Sequence, residues 1–216
     1  MSRTTTTKVE SSQQDPDTLA RLGKWLFTYR TSLPLPIAAV LLLWPPGPST
    51  IHLSTPLMLT GLLIIAGGEA LRAWGVHQIG AISRTRSDRT GPLIDTGPFS
   101  LVRNPLYLGN ILLWVGFAVS ARLLWFAPVT LLLLGLEYHA IVRWEESLLE
   151  VRLGDSYRRY MQEVPRWIPR IGSQRRSEGL ARFSWSDTLY SERGTLIAIV
   201  GGLGLLLIKS AVMDRL

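Results

Sequence analysis

The chain alternates between apolar segments of membrane-helix character and polar stretches rich in arginine, glycine and proline. The apolar segments run from about Trp25 to Trp44, Leu57 to Ile79, Leu106 to Ser120, Leu123 to Ile141 and Thr195 to Val212. The last approaches the ~20 residues that a helix needs to cross a bilayer. The pattern therefore predicts an all-α, polytopic membrane protein with about five transmembrane helices.

Two details of the pattern refine this prediction. The first segment contains Arg30, Pro34 and Pro36, and its uninterrupted part, Ile37–Trp44, is too short to span a membrane alone. The third and fourth segments are separated only by Ser120-Ala121-Arg122, so they are predicted to form a tight helical hairpin. Close helix packing in lipid is predicted from the glycines of the last segment, which are Gly201, Gly202 and Gly204.

The domain organisation is simple. Residues 1–24 are polar and contain no apolar stretch of the signal-peptide type, so we expect a disordered N-terminal tail without a cleavable signal. Residues 25–216 are expected to form one membrane domain. Its polar motifs are concentrated between residues 80 and 169.

Composition narrows the possible functions. The 216 residues are 47% hydrophobic and carry a formal net charge of +7. A soluble nucleic-acid-binding domain of that charge would lack the long apolar segments, so we expect membrane lipids and no nucleic acid as partners. The absence of cysteine excludes disulfides, thiolate metal sites and cysteine nucleophiles. Three scattered histidines give no metal-ligand spacing, so no metal site is predicted.

The distribution of arginine and lysine predicts the orientation. With a cytoplasmic N-terminus, the loop Pro45–Pro56, which has no Lys or Arg, lies outside. The loop carrying Arg84, Arg86, Arg89 and Arg103 then lies inside, as does the segment Arg143–Arg193 with its ten arginines. This partition follows the positive-inside rule and places the polar motifs on the cytoplasmic face.

The first motif is the sequence GPFSLVRNPLYLG, from Gly97 to Gly109. Pro105 suits the first turn of a helix, and Asn104 is then its N-cap. Free N–H groups and the positive end of the helix dipole at that turn favour a carboxylate or an electron-rich ligand. Gly109 offers room for a ligand to approach the backbone. The alternative interpretation is an ordinary cap followed by an interfacial tyrosine.

The second motif follows the fourth apolar segment. Glu145 and Glu146 can hold a cationic group or a pair of ribose hydroxyls, and the alternative is a solvated helix end. Apolar periodicity predicts that this helix continues to Gly154 as its C-cap. A short amphipathic helix with Tyr157 and Tyr160 on one face follows, and the prolines of the next stretch, Val164–Pro169, exclude helix there.

Ionisable residues also occur within the apolar segments, where they are functional candidates by default. Glu69 and Arg72, three residues apart, can form a structural pair. Glu137 and His139 lie near the end of the fourth segment, and His77 is interpreted as structural.

The ordered set of motifs resembles the isoprenylcysteine carboxyl methyltransferase and phospholipid methyltransferase superfamily. The set comprises LIDTGPF from Leu93, RNPLYLG from Arg103, a hydrophobic hairpin, Glu145-Glu146, and then Gly154, Tyr157, Tyr160 and Val164-Pro165. These family members are integral membrane enzymes that use S-adenosylmethionine. The resemblance covers roughly residues 80–169.

The resemblance implies a set of site residues. Leu93, Ile94 and Phe99 would line the cofactor from the loop, and Glu145 would close the pocket. Glu146 and Arg143 are the predicted catalytic residues. Glu146 would accept a proton from an amine, with Glu145 and His139 as alternatives for that role. Arg143 would hold an acidic acceptor. The helix-start contacts to the cofactor would come from Asn104, Pro105, Leu106 and Tyr107. Gly109 is added to the cofactor-binding residues because it offers room at the backbone.

Two departures from the family pattern concern the methyl acceptor. Asn104 stands where prenylcysteine enzymes usually have histidine, and Ile141 stands where they have an arginine for their substrate. A prenylcysteine carboxylate is therefore disfavoured, while a lipid amine or a small thiol stays open. Alternative functions are an NADPH-dependent membrane reductase related to sterol reductases and a non-catalytic membrane protein on the same scaffold.

Overall fold

A computed structural model describes residues 18–47, 54–80, 93–170 and 183–213 of the chain. Within these ranges the backbone forms seven α-helices and one short 3-10 helix, Gly97–Ser100, with no strand. The α-helices are α1 Thr18–Tyr29, α2 Leu35–Leu43, α3 Ser54–Ile79, α4 Pro105–Ser120, α5 Phe126–Leu153, α6 Asp155–Glu163 and α7 Trp185–Met213. The predicted all-α class is confirmed.

Three helices, α3, α5 and α7, are long and apolar enough to cross a membrane. Helix α4 is apolar but has only 16 residues. The architecture is that of a polytopic membrane protein, although fewer single helices reach spanning length than the five that the apolar pattern predicts. The predicted hairpin is present, because α4 and α5 are joined directly through residues 121–125.

The first apolar segment is broken into α1 and α2 around Pro34. Proline removes a backbone donor and clashes with the preceding turn, so one continuous helix cannot form. The two halves nevertheless lie at different levels of the bundle. Phe27 of α1 packs on Trp144 with ring centroids 4.9 Å apart, whereas Trp44, just after α2, packs on Trp125 at 5.5 Å. Together they extend from one end of α5 to the other.

The N-terminal prediction needs a correction. Helix α1 begins at Thr18, so residues 18–24 are helical and do not belong to a disordered tail. This start lets Gly23 approach Ala140 and Trp144 of α5, where a Cβ would meet the backbone of Ala140. The remainder of the predicted tail, residues 1–17, lies outside the described residues.

Glycines explain the close contact between α3 and α4. A Cβ on Gly68 would lie 2.8 Å from the carbonyl oxygen of Gly109, and one on Gly116 would lie 2.8 Å from that of Gly61. Both helices therefore present glycines seven residues apart, a spacing that keeps them on one face. Small residues let two helices approach closely in lipid, where the hydrophobic effect does not drive association.

Helix α7 is the least covered of the long helices. Gly202 packs against the ring of Phe117, but a Cβ on Gly201 or Gly204 would meet nothing within 4 Å. The prediction of close packing through all three glycines is therefore wrong for two of them. Helix α7 contacts α3 chiefly through polar side chains near its start.

The segment after α5 follows its sequence pattern. Gly154 ends α5 with φ of +54°, a backbone conformation that favours glycine, and α6 begins at the next residue. Tyr157 and Tyr160 of α6 are buried and pack with Val164, against Leu93 of the preceding loop. Residues 164–170 contain no helix, as predicted.

Candidate functional site

The start of α4 and the end of α5 meet in the folded chain. The Tyr107 hydroxyl donates a hydrogen bond of 2.9 Å to Oε1 of Glu145. Tyr138, about two helical turns before Glu145, packs on the Tyr107 ring with centroids 4.8 Å apart. The two separate sequence motifs therefore converge on one tyrosine–carboxylate pair.

Asn104 occupies the predicted N-cap position, but its side chain does not cap α4. Its Nδ2 instead donates to the carbonyl oxygen of Arg166, 3.3 Å away. In the first turn, Leu106 and Tyr107 carry N–H groups that have no acceptor within the helix, because helix geometry leaves the first donors unused. These donors and the dipole of α4 produce a partial positive charge at the start of the helix.

Glu146, one residue beyond Glu145, has a different environment. Arg166 holds its carboxylate through two nitrogens, with Nη2 2.6 Å from Oε2 and Nε 3.1 Å from both oxygens. Arg103 adds an ion pair, with Nη1 2.8 Å from Oε1. Because both carboxylate oxygens already face cations, Glu146 is poorly placed to accept a proton from a substrate, contrary to its predicted catalytic role.

The loop after α6 is tied to the start of α4 by backbone hydrogen bonds as well. Arg103 N donates to Pro165 O at 2.9 Å, and Arg170 N donates to Leu101 O at 3.0 Å. We call the set of Arg103, Glu146, Arg166 and the loop 164–170 the clasp. The sequence excluded helix from this loop but did not identify Arg166, since nothing in its spacing indicates Glu146 as its partner.

The loop before α4 is fixed by a glycine turn and by hydrogen bonds from side chains of α3 and α6. Gly97 has φ of +59°, where an L side chain would be strained, and Gln78 of α3 donates a side-chain hydrogen bond to Thr96. The hydroxyl of Tyr160 donates to Phe99 O at 2.8 Å. Burial raises the pKa of Tyr157 and of Tyr160 above the usual value for a phenol, so both remain protonated donors.

Arg30, at the break between α1 and α2, also reaches this site. Its guanidinium stacks 3.8 Å from the centroid of the Phe27 ring, and its charge acts on both Tyr107 and Glu145. The sequence identified Arg30 only as an interruption of the first apolar segment. The available signal was an arginine inside an apolar segment, beside two prolines.

Not every predicted site residue faces this pair. Leu93 and Phe99 belong to the loop that packs on α6, and Ile94 is half-buried beside them. Pro105 is buried, and Leu106 packs over Gly75 of α3. Arg143 is half-buried and stands two residues before Glu145, about 200° around the helix, so its catalytic role stays a prediction.

Gly109 requires a correction. The space that its missing side chain leaves is filled by α3, where a Cβ would lie 2.7 Å from the carbonyl oxygen of Gly68. It permits helix packing and gives a ligand no approach to the backbone.

A second polar cluster lies between α3, α4 and α7, and we call it the Arg72 cluster. The Nη2 atom of Arg72 is 2.7 Å from Oε2 of Glu192, and its Nε is 3.6 Å from Oε2 of Glu69. Arg72 also donates to Asn110 of α4 and, at 3.3 Å, to Thr195 of α7. The predicted pair of Glu69 and Arg72 is thus present, but the shorter ion pair is to Glu192.

Two of the remaining ionisable candidates, His77 and His139, lie against tryptophan side chains. His77 stacks on Trp185 with centroids 4.1 Å apart and contacts Thr188 through Nδ1 at 3.2 Å. Nδ1 of His139 lies 3.4 Å from the indole nitrogen of Trp167. Across the described parts of the chain, no group of three His, Cys, Asp or Glu side chains is placed to hold a metal ion.

The family model described as phospholipid methyltransferase matches residues 57–156. This range contains most of α3, all of α4 and α5, and the Tyr107–Glu145 pair. An uncharacterized protein of Haemophilus influenzae is 40% identical over 63 residues, which cover 29% of this chain and 79% of that protein. No solved structure matches the chain.

Two further relatives are named for metal resistance. The nickel-cobalt-cadmium resistance protein NccN of Alcaligenes xylosoxydans xylosoxydans is 30% identical over 119 residues, 55% of this chain and 53% of that protein. The cobalt-zinc-cadmium resistance protein CzcN of Cupriavidus metallidurans is 30% identical over 122 residues, 56% of this chain and 53% of that protein. The chain spans about half the length of these two relatives. Over residues 57–156 the chain is similar to the phospholipid methyltransferase family.

Proposed function

We propose that the chain transfers a methyl group from S-adenosylmethionine to a lipophilic or small acceptor at the membrane surface. The observation that carries the proposal is the contact between Tyr107 and Glu145, which joins the two family motifs in one place. The match of residues 57–156 to the phospholipid methyltransferase family model supports it.

The residues at this site fit the chemical groups of the proposed cofactor. The uncapped first turn of α4 supplies N–H donors for a carboxylate, and Glu145 supplies an acceptor for hydroxyl or amino groups. When bound, S-adenosylmethionine supplies a methyl group on a positively charged sulfur. The chain's own residues need only orient the groups and exclude water, because displacement at such a methyl depends on alignment and desolvation.

Glu145 is the better-placed proton acceptor for an amine. Its single described hydrogen-bond donor is Tyr107, whereas Glu146 is held by two arginines. We therefore move the proposed base from Glu146 to Glu145. A thiolate or carboxylate acceptor would need no base.

The surroundings of Ile141 weigh against a carboxylate acceptor. Ile141 is fully buried in the apolar core with Tyr138 and Ile111. A carboxylate brought to that position would lack a paired cation, and an unpaired buried charge is costly. We propose a lipid amine or a small thiol as the acceptor class.

Calorimetric binding to the purified full chain tests the proposed cofactor. We expect binding of S-adenosylmethionine, weakened by about tenfold or more in Tyr107→Phe and Glu145→Gln, as expected for loss of a charged hydrogen bond. The matched control is Glu150→Gln, which removes a more exposed carboxylate of the same helix. Binding of NADPH in place of S-adenosylmethionine would favour a reductase, and binding of neither would favour a non-catalytic role.

A second assay addresses the acceptor. Methyl transfer to lipid extracts, small thiols and N-acetyl-farnesylcysteine should favour the first two. Robust methylation of the prenylcysteine by the unaltered chain would contradict the acceptor class while leaving the cofactor assignment intact.

We also propose that the site faces the cytoplasm, as the arginine distribution predicts. Single cysteines at Ser49 and Ser87, both outside the described residues, should react with impermeant reagents from opposite sides. Reaction from the same side would contradict the topology.

A further inference from the structure

Asn110 lies on the same face of α4 as Tyr107, because residues three apart are neighbours on a helix surface. On α5, Tyr138 and Glu145 share one face in the same way, since they are seven residues apart. Tyr107 contacts both residues of α5, through the ring of Tyr138 and the carboxylate of Glu145. Asn110 therefore faces the same surface of α5 as the candidate site but lies outside the Tyr107–Glu145 hydrogen bond.

Arg72 fixes the orientation of the Asn110 amide. Its Nη1 atom donates to Oδ1 of Asn110. A guanidinium can only donate, so the amide oxygen must face Arg72 and the amide nitrogen is left for another partner. The Asn110 side chain also forms a hydrogen bond with the hydroxyl of Tyr138, for which this nitrogen is the donor. Because hydrogen bonds from a charged donor are roughly twice as strong as neutral ones, Arg72 favours this orientation of the amide over the flipped one.

Tyr138 passes this constraint to the candidate site. Only 4% of Tyr138 is exposed, and a buried phenol hydroxyl usually needs a hydrogen-bond partner. Its ring packs on the ring of Tyr107 with the two planes tilted by 35°. Because close-packed interiors leave little room for movement, a rotation of the Tyr138 ring would displace the ring of Tyr107. The hydroxyl of that ring is the donor to Glu145.

A polar side chain at position 110 is not needed to pack α4 against α5. Leucine has nearly the same shape and would bury more apolar surface, but it would leave the Tyr138 hydroxyl and Arg72 without this partner. The contacts continue on the other side of Asn110, because Arg72 is held by Glu192 of α7 at 2.7 Å. One connected set of polar and ring contacts therefore joins α7 to the Tyr107–Glu145 pair.

We propose that Asn110 is a positioning residue for cofactor binding. Through Tyr138 it holds Tyr107 in the orientation in which the Tyr107 hydroxyl reaches Glu145. Asn110 acts through these side chains and does not itself bind the cofactor. The inference rests on the proposed function, in which Tyr107 and Glu145 form part of the S-adenosylmethionine site.

The orientation of Tyr107 can be measured without any ligand. The full chain has six tyrosines, so fluorine NMR of the chain carrying 3-fluorotyrosine gives a small set of signals, and the one lost in Tyr107→Phe belongs to Tyr107. We expect Asn110→Leu and Tyr138→Phe to shift or broaden this signal, because each removes the hydrogen bond between positions 110 and 138. Tyr138→Phe keeps the ring and deletes only its hydroxyl, so it tests the same link should Asn110→Leu fail to fold.

Calorimetric titration with S-adenosylmethionine measures the consequence for binding. Each of the two variants should weaken binding by about threefold to tenfold, the range expected for one neutral hydrogen bond. The double variant should bind no more weakly than the single variants, since both substitutions remove the same link. A residue with only a structural role would not show this coupling in affinity.

Gly116→Ala is the control for loss of stability. Its new Cβ would lie 2.8 Å from the carbonyl oxygen of Gly61, so the α3–α4 contact is overpacked, but position 116 is about 13 Å along α4 from Tyr107. We expect a lower unfolding temperature with an unchanged Tyr107 signal and unchanged affinity. An unchanged Tyr107 signal in both Asn110→Leu and Tyr138→Phe would overturn the positioning role, as would additive losses of affinity in the double variant. Failure of the wild-type chain to bind S-adenosylmethionine, with the signal shifted in both variants, would instead contradict the proposed cofactor and support the link between positions 110 and 138.

Discussion

The clasp and the Arg72 cluster are both ion-pair clusters of arginine and glutamate, but the ratio of the two residue types is reversed. In the clasp, two arginines share the carboxylate of Glu146. In the Arg72 cluster, two carboxylates share the guanidinium of Arg72. The first joins the two family motifs at one end of the bundle, and the second joins the late helix α7 to α3 and α4.

The two clusters differ in the exposure of one residue. In the clasp, 25% of the Arg166 side chain is exposed, so water can hydrate that charge if the pair is broken, whereas Arg103 and Glu146 are 11% and 8% exposed. In the Arg72 cluster, Arg72 and Glu69 are 13% exposed and Glu192 is 7% exposed. Removing Arg72 leaves two carboxylates that neither water nor lipid can solvate well. The Arg72 cluster should therefore be the more sensitive to loss of its shared residue.

The largest effect is expected from Arg72→Met, which leaves Glu69 and Glu192 facing each other. Breaking a buried ion pair from one side costs about 3–5 kcal/mol of unfolding free energy. Thermal unfolding of the detergent-solubilised chain measures the loss. As a control, Arg158→Met removes an exposed arginine that pairs with Glu150 and Asp155, and no measurable change is expected.

The double variant Arg72→Met with Glu192→Met sharpens this result. Because it removes both partners of the 2.7 Å ion pair, it should be more stable than Arg72→Met alone. If the double variant is as unstable as the sum of the two single variants, the two residues are not energetically coupled and the cluster is not a unit.

Glu146→Gln is expected to have the second-largest effect. It leaves Arg103 and Arg166 side by side without a counter-charge, at a cost of about 1.5–3 kcal/mol for the lost charged hydrogen bonds. The loop 164–170 should then exchange its backbone hydrogens faster, which hydrogen–deuterium exchange detects. Glu145→Gln should leave that exchange unchanged, because Glu145 contacts Tyr107 and not the clasp. Equal exchange in both variants would show that Glu146 does not hold the loop.

The sequence predicted different parts of the two clusters. The tight hairpin brings the start of α4 near the end of α5, and the glycine at position 154 marked where α5 stops. The sequence motifs therefore included Arg103 and Glu146 but predicted no ion pair between them, whereas the pair of Glu69 and Arg72 was predicted and is present. By contrast, Arg72 and Glu192 are 120 positions apart, and apolar periodicity identifies a buried face but not the helix that covers it.

The same limit explains two wrong details. Gly109 looked accessible because glycine has no side chain, whereas Gly68, 41 positions earlier, fills the space beside it. The glycines of α7 looked like a packing motif, but only Gly202 has a neighbour, Phe117. A glycine indicates that close approach is possible, and only the fold shows whether another helix makes it.

Gly109→Ala tests whether the Arg72 cluster depends on the close contact of α3 and α4. The new methyl group would press on the Gly68 carbonyl and on the Arg72 side chain, and overpacking of this kind costs about 1–3 kcal/mol. Gly135→Ala, in α5 with nothing within 4 Å, should instead stabilise the helix by about 0.5–1 kcal/mol. Opposite shifts in unfolding temperature are expected, and a stabilising shift at position 109 would contradict the glycine contact.

The smallest effect is expected at Asn104, where the two possible roles of the side chain can be separated. As a tether, Asn104 donates one neutral hydrogen bond to Arg166 O, and its loss in Asn104→Ala should cost about 0.5–1.5 kcal/mol and speed exchange in the loop 164–170. As an N-cap, it would be replaced well by serine, which caps helices about as effectively. Because the amide reaches the loop and not the first turn of α4, Asn104→Ser should behave like Asn104→Ala. Recovery of stability and slow exchange in Asn104→Ser would show that the side chain caps α4 and that the clasp holds without it.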